Sequence, residues 1–181
     1  MSDTPPDLAS LARRVARLEA EGAIRLVVAT YFRLCDTLGP DTDWAAMEAL
    51  FTRDAVWAGR GRYARAFGRH EGRSAIMGML RAYADPPHFV LNAHYLASEI
   101  VTVHEGPGSG ASASWMMLQV STYRDGRSDL RSAAISIEMA REDGVWRIAA
   151  FTTDNIFSRD VGPWNDEAPI SVPEPTTEES A

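Results

Sequence analysis

The sequence contains no lysine, and all 18 of its basic residues are arginine. They are outnumbered by 25 acidic residues, and the net charge of −7 makes nucleic acid an unexpected partner. The single cysteine, Cys35, excludes an internal disulfide and a cysteine-based zinc cluster, and favours the reducing cytoplasm. No run of 18 apolar residues and no signal-peptide pattern occurs, so we expect neither a membrane span nor export.

Several motifs of cofactor-dependent enzymes and hydrolases are also missing. There is no phosphate-binding loop, no GxGxxG after a strand and no Ser-His-Asp elbow. His88 and His94 would lie about 20 Å apart on a regular strand, too far to share a metal ion. The sequence therefore predicts neither a cofactor nor a metal site.

What the sequence does contain begins with helical patterns. Apolar residues recur every three or four positions through 8–38, with Gly22 as a candidate break, and this favours a helical arm (1–19) before the main domain (20–158). Two shorter helices are predicted, one over 44–51 capped by Asp43 and one beginning at 71–74. The intervening segment 59–70, rich in glycine and arginine, is predicted to be a loop.

The second half of the chain is strand-like. Four segments rich in β-branched and aromatic residues are separated by glycine-containing turns: 88–104, 112–124, 130–141 and 145–157. A short strand is expected at 55–58. Helices followed by a long antiparallel sheet predict an α+β fold, in which a curved sheet forms a cone-shaped half-barrel against three N-terminal helices. The composition of 159–181 favours a disordered acidic tail.

Five segments in this order resemble the SnoaL-like family of the nuclear transport factor 2-like superfamily. They are AIRLVVATYFRLCD, DWAAMEALFTRDAVW, HEGRSAI, HFVLN and EDGVWRIAAF, and together they span most of 20–158. The resemblance extends to dehydratase and dehydrochlorinase members such as scytalone dehydratase, bile-acid 7α-dehydratase and hexachlorocyclohexane dehydrochlorinase.

The resemblance implies an acid–base pair. Asp36, late in the first long helix, would pair with His88 at the start of the first long strand. Tyr31 matches a catalytic tyrosine five residues before the aspartate, and Asn92 matches an asparagine four residues after the histidine. Two family features are missing: Gly59 stands where the ketosteroid isomerases carry an aspartate base, and Phe151 replaces the dehydrochlorinase arginine.

The residues themselves allow part of this interpretation. A carboxylate at the end of a helix, such as Asp36, faces the negative end of the helix dipole and requires compensation, which a histidine would supply. An exposed helix-terminal aspartate remains the alternative. Aromatic residues on predicted strands favour an apolar cyclic or aromatic substrate, and the candidate binding residues are Trp57, Trp115, Tyr123 and Phe151.

These observations predict a cofactor-independent lyase of the dehydratase type, with Asp36, His88 and Tyr31 as catalytic residues. An isomerase or cyclase using the same pair is the nearest alternative. A non-catalytic binding module, or a subunit like the β subunit of the ring-hydroxylating dioxygenases, is a second class. We also expect a homodimer or a homotrimer.

Overall fold

The computed structural model describes residues 7–106 and 108–165. These residues form four helices and one six-stranded sheet. The helices are α1 (Leu8–Asp36), α2 (Trp44–Ala49), α3 (Arg62–Phe67) and α4 (Arg73–Arg81). The strands are β1 (Phe51–Arg60), β2 (Arg69–Glu71), β3 (Phe89–Val103), β4 (Ala111–Tyr123), β5 (Ser128–Glu142) and β6 (Val145–Asp160).

The long helix α1 is continuous. The Asp7 side chain accepts a hydrogen bond from the Ser10 amide and caps its first turn. The break expected at Gly22 does not occur, because a glycine inside a helix costs only about 1 kcal/mol and the packing of the helix outweighs that cost. The last residue of α1 is Asp36, as the helix-end interpretation requires.

The segment 59–70 is not a loop. It contains an additional helix, so the described residues have four helices where three were predicted. It contains α3 and β2, and α3 packs against β1 and β6. The residues Tyr63 and Phe67 are one helical turn apart, and their rings meet edge to face at 4.8 Å. The missing side chain of Gly59 makes room for α3, since a Cβ there would lie 2.3 Å from the Tyr63 carbonyl oxygen.

The sheet has the order β2-β1-β6-β5-β4-β3 and is antiparallel except between β1 and β6. Buried and more exposed residues alternate along β4 and β5, so one face of the sheet packs against the helices. The predicted α+β fold is therefore confirmed. The strand β6 continues to Asp160, past the boundary predicted at 158, and residues 166–181 of the predicted tail lie outside the described residues.

Within residues 7–106 and 108–165, no helix is long and apolar enough to cross a membrane.

Candidate active site

A cavity of about 510 Å³ lies between the helices and the inner face of the sheet. The end of α1 forms one wall through Tyr31, Phe32, Cys35 and the following Leu38. The helices α3 and α4 cover it, and strands β3 to β6 form its floor. Most of the lining side chains are apolar or aromatic, as in a pocket for a small apolar ligand.

The carboxylate of Asp36 is paired with His94, at one edge of this cavity. The distance from His94 Nδ1 to Asp36 Oδ1 is 2.5 Å, and the two side chains are 9% and 24% exposed. The imidazole packs against the Phe32 ring, with 5.0 Å between ring centroids. Nδ1 faces the carboxylate. Because His94 also lines the cavity, its other ring nitrogen, Nε2, is the one available for chemistry there.

The predicted pairing of Asp36 with His88 is therefore wrong. Helix α1 runs antiparallel to β3, and Arg25 binds Glu99 at 2.6 Å while Asp36 binds His94. The 11 residue steps between the two α1 positions span about 16 Å, and the five residue steps between the two β3 positions span about the same length. This register brings the end of α1 to His94 within β3, about 20 Å along the chain from His88, which precedes the strand.

His88 lies instead in an aromatic cluster at the beginning of β3. Its ring contacts the rings of Tyr83, Phe89 and Tyr123 at centroid distances of 4.8 to 5.4 Å. Its backbone amide donates to the Tyr83 carbonyl. It lines the cavity at a position separate from the Asp36–His94 pair.

Tyr31 is buried in the wall of the cavity. Its hydroxyl accepts a hydrogen bond from Trp57 Nε1 at 3.0 Å and keeps its own proton, which interacts with the Cys35 thiol. Burial raises the pKa of Tyr31 well above its ordinary value, with a smaller contribution from Cys35. The phenol is therefore neutral at physiological pH and can act as a donor.

Asn92 joins α1 to the sheet. Its amide donates to the Cys35 carbonyl at 3.2 Å, and its oxygen accepts from Gln119 and Ser121 at 2.7 and 2.8 Å. The side chain lines the cavity, but these bonds already use both of the oxygen's lone pairs. Its geometry fits a residue that positions the end of α1 beside β3.

Three of the four predicted binding aromatics line the cavity. Trp57 and Phe151 stack with an interplanar angle of 7°, and Tyr123 lies on β4. Trp115 does not line the cavity. It is buried in the core two residues before Met117, in the first half of β4, where the inward side chains are part of the core.

The model of the SnoaL-like domain family matches residues 16–152. This chain belongs to the SnoaL-like family. Among curated protein sequences, none matches it.

Solved structures share the fold of this SnoaL-like protein. An NTF2-like protein with a cystatin-like fold from Novosphingobium aromaticivorans DSM is 26% identical, with 84% of this chain and 92% of that one covered and a TM-score of 0.65. A type 2 hexachlorocyclohexane dehydrochlorinase (LinA) is 17% identical over 90% and 99%, with a TM-score of 0.68. A protein from N. aromaticivorans DSM provisionally described as an aromatic ring hydroxylase is 23% identical over 79% and 94%, with a TM-score of 0.67.

Sequence reasoning on this SnoaL-like chain missed several polar residues of the cavity, among them His94, Gln119 and Arg131. His88 and His94 are six residues apart and have the same strand parity, so alternation could not distinguish them. The lengths of the two elements could have distinguished them. The separation of Arg25 and Asp36 along α1 spans the same length as the separation of their partners along β3.

The part of this SnoaL-like protein that the structure describes contains no group of three or more histidine, cysteine or acidic residues able to hold a metal ion.

Proposed function

We propose that this SnoaL-like protein is a cofactor-independent lyase of the dehydratase type, acting on a small apolar cyclic or aromatic substrate. The observation that carries the proposal is the His94–Asp36 hydrogen bond at the wall of a largely apolar cavity. An ionisable pair in such a cavity is a frequent arrangement for proton transfer. His94 takes the role that the sequence analysis gave to His88.

In the proposed reaction, His94 Nε2 removes a proton from the carbon next to a carbonyl group of the substrate. The C–H electron pair forms a carbon–carbon double bond, and the bond to the hydroxyl group on the next carbon breaks. The proton on His94 then passes to the departing hydroxide and gives water. Asp36 fixes the tautomer in which Nε2 is the base, and stabilises the imidazolium that forms.

Tyr31 would assist by turning its phenolic proton from the Cys35 thiol to the oxygen that gains negative charge. Trp57 holds the hydroxyl from the other side, so the position of the donor oxygen is set before the substrate binds. Donors held in position in this way stabilise developing charge because the donor atom does not need to move during the reaction.

The proton-abstraction step can be tested with 2-tetralone in D₂O, because exchange of its α-protons needs a base but no leaving group. We expect the protein to accelerate the exchange, followed by ¹H NMR, and H94A to lower the acceleration by about 10²–10⁴-fold. We expect D36N to lower it as well, since the wrong tautomer of His94 would be favoured.

H88Q is the matched control, because His88 also lines the cavity but does not contact Asp36. We expect it to retain the exchange within about threefold. Equal rates in the H94A variant and the parent protein, or a loss confined to H88Q, would remove the base from position 94.

An isomerase or cyclase would use the same first step and differ only in the fate of the proton. Loss of water from cyclic β-hydroxy ketones distinguishes a dehydratase, whereas migration of a double bond at constant mass indicates an isomerase. A purely supporting subunit is less favoured, since side chains do not fill the cavity that reaches His94.

A further inference from the structure

We infer that Arg131, held in place by Tyr123 and Asp129, forms a second recognition site in the cavity, which binds a carbonyl or phenolic oxygen on the ring of the ligand. The inference rests on the proposed function, because it gives the chemical class of the substrate for the same cavity. It concerns binding rather than proton transfer, so the two can fail separately.

Arg131 belongs to a row of cavity-lining residues that crosses the sheet. It lies opposite Gln119 on the neighbouring strand, and Gln119 lies opposite His94. All three side chains line the cavity. Neighbouring strands are about 4.8 Å apart, so the Cα atoms of His94 and Arg131 are about 10 Å apart. A ligand of one or two fused rings spans this distance between the base and the guanidinium.

The guanidinium of Arg131 is only partly satisfied by the protein. Its Nη2 atom donates to the Tyr123 hydroxyl and to the Asp129 carboxylate, and Tyr123 donates to the same carboxylate at 2.8 Å. Its Nε atom is buried and has no hydrogen-bond partner among the residues that the structure describes. Arg147 Nε, which also lacks a hydrogen bond there, at least faces Glu142 at 3.6 Å.

Stability of the fold does not explain a guanidinium in this position. Arg131 has a side chain only 19% exposed, and removing a guanidinium from water is costly. An apolar pair of similar volume is often as stable as a buried ion pair, and an unpaired buried donor lowers the stability further. A donor group retained in an apolar cavity is accounted for by a ligand that carries an acceptor.

The charges of the cluster favour a neutral acceptor. Asp129 balances the charge of Arg131 and accepts the Tyr123 proton, so the group as a whole offers the remaining N–H donors of Arg131 without a net positive charge. Burial raises the pKa of Tyr123, which keeps its hydroxyl protonated at neutral pH. A carbonyl or a phenolic oxygen therefore fits the cluster better than a free carboxylate does.

The test compares three ligands of nearly the same shape by isothermal titration calorimetry: 2-tetralone, 2-naphthol and tetralin, which has no oxygen. We expect the unchanged protein to bind at least one of the two oxygen-bearing ligands about tenfold more tightly than tetralin. Which of them binds better identifies the oxygen as carbonyl or phenolic. In the R131Q/D129N double variant, which removes both buried charges together, we expect the preference to fall to within about twofold.

R127L is the matched control, because Arg127 also lies over the Tyr123 ring, at 4.7 Å, but its side chain is exposed. We expect it to keep the tenfold preference. Equal binding of all three ligands by the unchanged protein would overturn the inference, as would an undiminished preference in R131Q/D129N. The H94A variant separates the two proposals. It should lose deuterium exchange, which needs the carbonyl end of 2-tetralone beside position 94, and it should keep the preference for oxygen, which measures the orientation with the oxygen at Arg131.

Discussion

The ionisable side chains beside the acid–base pair are held neutral by burial. Cys35 lies one residue before Asp36 and lines the cavity, and burial raises the pKa of its thiol to about 12. A thiol in this state is neither a nucleophile nor a metal ligand at neutral pH. The proposed chemistry therefore uses the histidine, although the cysteine is equally close to the aspartate in sequence.

The raised pKa of Cys35 makes the stability of the protein sensitive to alkaline pH. The thiol ionises near pH 9 in the unfolded chain but only near pH 12 in the folded protein. The stabilisation of the fold by the buried neutral thiol is fully present below pH 9 and is lost as the pH rises toward 12. Between pH 8 and pH 10, we expect C35A to lose about 1 kcal/mol less of its unfolding free energy than the parent protein. Urea denaturation at each pH measures this, and parallel pH profiles would contradict it.

At this scale the sequence identified the carboxylate but not its partner. Asp36 could be recognised because it ends a long apolar helix, which is a local property. The partner depends on how far α1 reaches along β3, and that length is set by tertiary packing. The hydrogen-bond partners of Arg131 were not predicted either, because their contact depends on the pairing of β4, which holds Tyr123, with β5, which holds Asp129.

Among the elements, α3 has the greatest influence on the shape of the cavity. It contributes Tyr63, Ala66 and Phe67 to the lining, and it fits against β1 only because Gly59 has no side chain. The same contact means that an aspartate at position 59 would clash with α3 where it lies in this chain. A helix of six residues is too short for periodicity to reveal, so its glycine and arginine content suggested a loop.

The role of Gly59 can be tested by adding one methyl group. We expect G59A to lower the unfolding free energy by about 1–3 kcal/mol, because α3 must move away from β1. G22A is the matched control: nothing lies within 4 Å of the added Cβ in the middle of α1, so we expect it to stabilise the protein by about 0.5–1 kcal/mol. Urea denaturation of both variants decides, and equal midpoints would show that α3 does not depend on this contact.

For the molecule as a whole, the strand pattern predicted the sheet well because its inner and outer faces differ. The alternation along β4 and β5 reflects burial against the helices on one side only. The outer face nevertheless carries apolar side chains next to one another. Tyr95 lies opposite Leu118 across β3 and β4, and the two are 59% and 39% exposed. Met116, opposite Ala97, extends this outer-face patch.

An apolar patch on the open face of a sheet favours association with a second copy of the chain. We therefore expect a homodimer or a homotrimer in sedimentation velocity, and we expect L118R to form monomers, because burying an unpaired guanidinium in the interface costs several kcal/mol. V145R is the matched control, since Val145 is also apolar and exposed but begins β6, away from the outer-face patch. If L118R keeps the mass of the parent protein, the subunits meet elsewhere. If V145R alone forms monomers, the subunits meet through the β5–β6 hairpin. The ends of β3 and β4 that line the cavity are then free in the assembly.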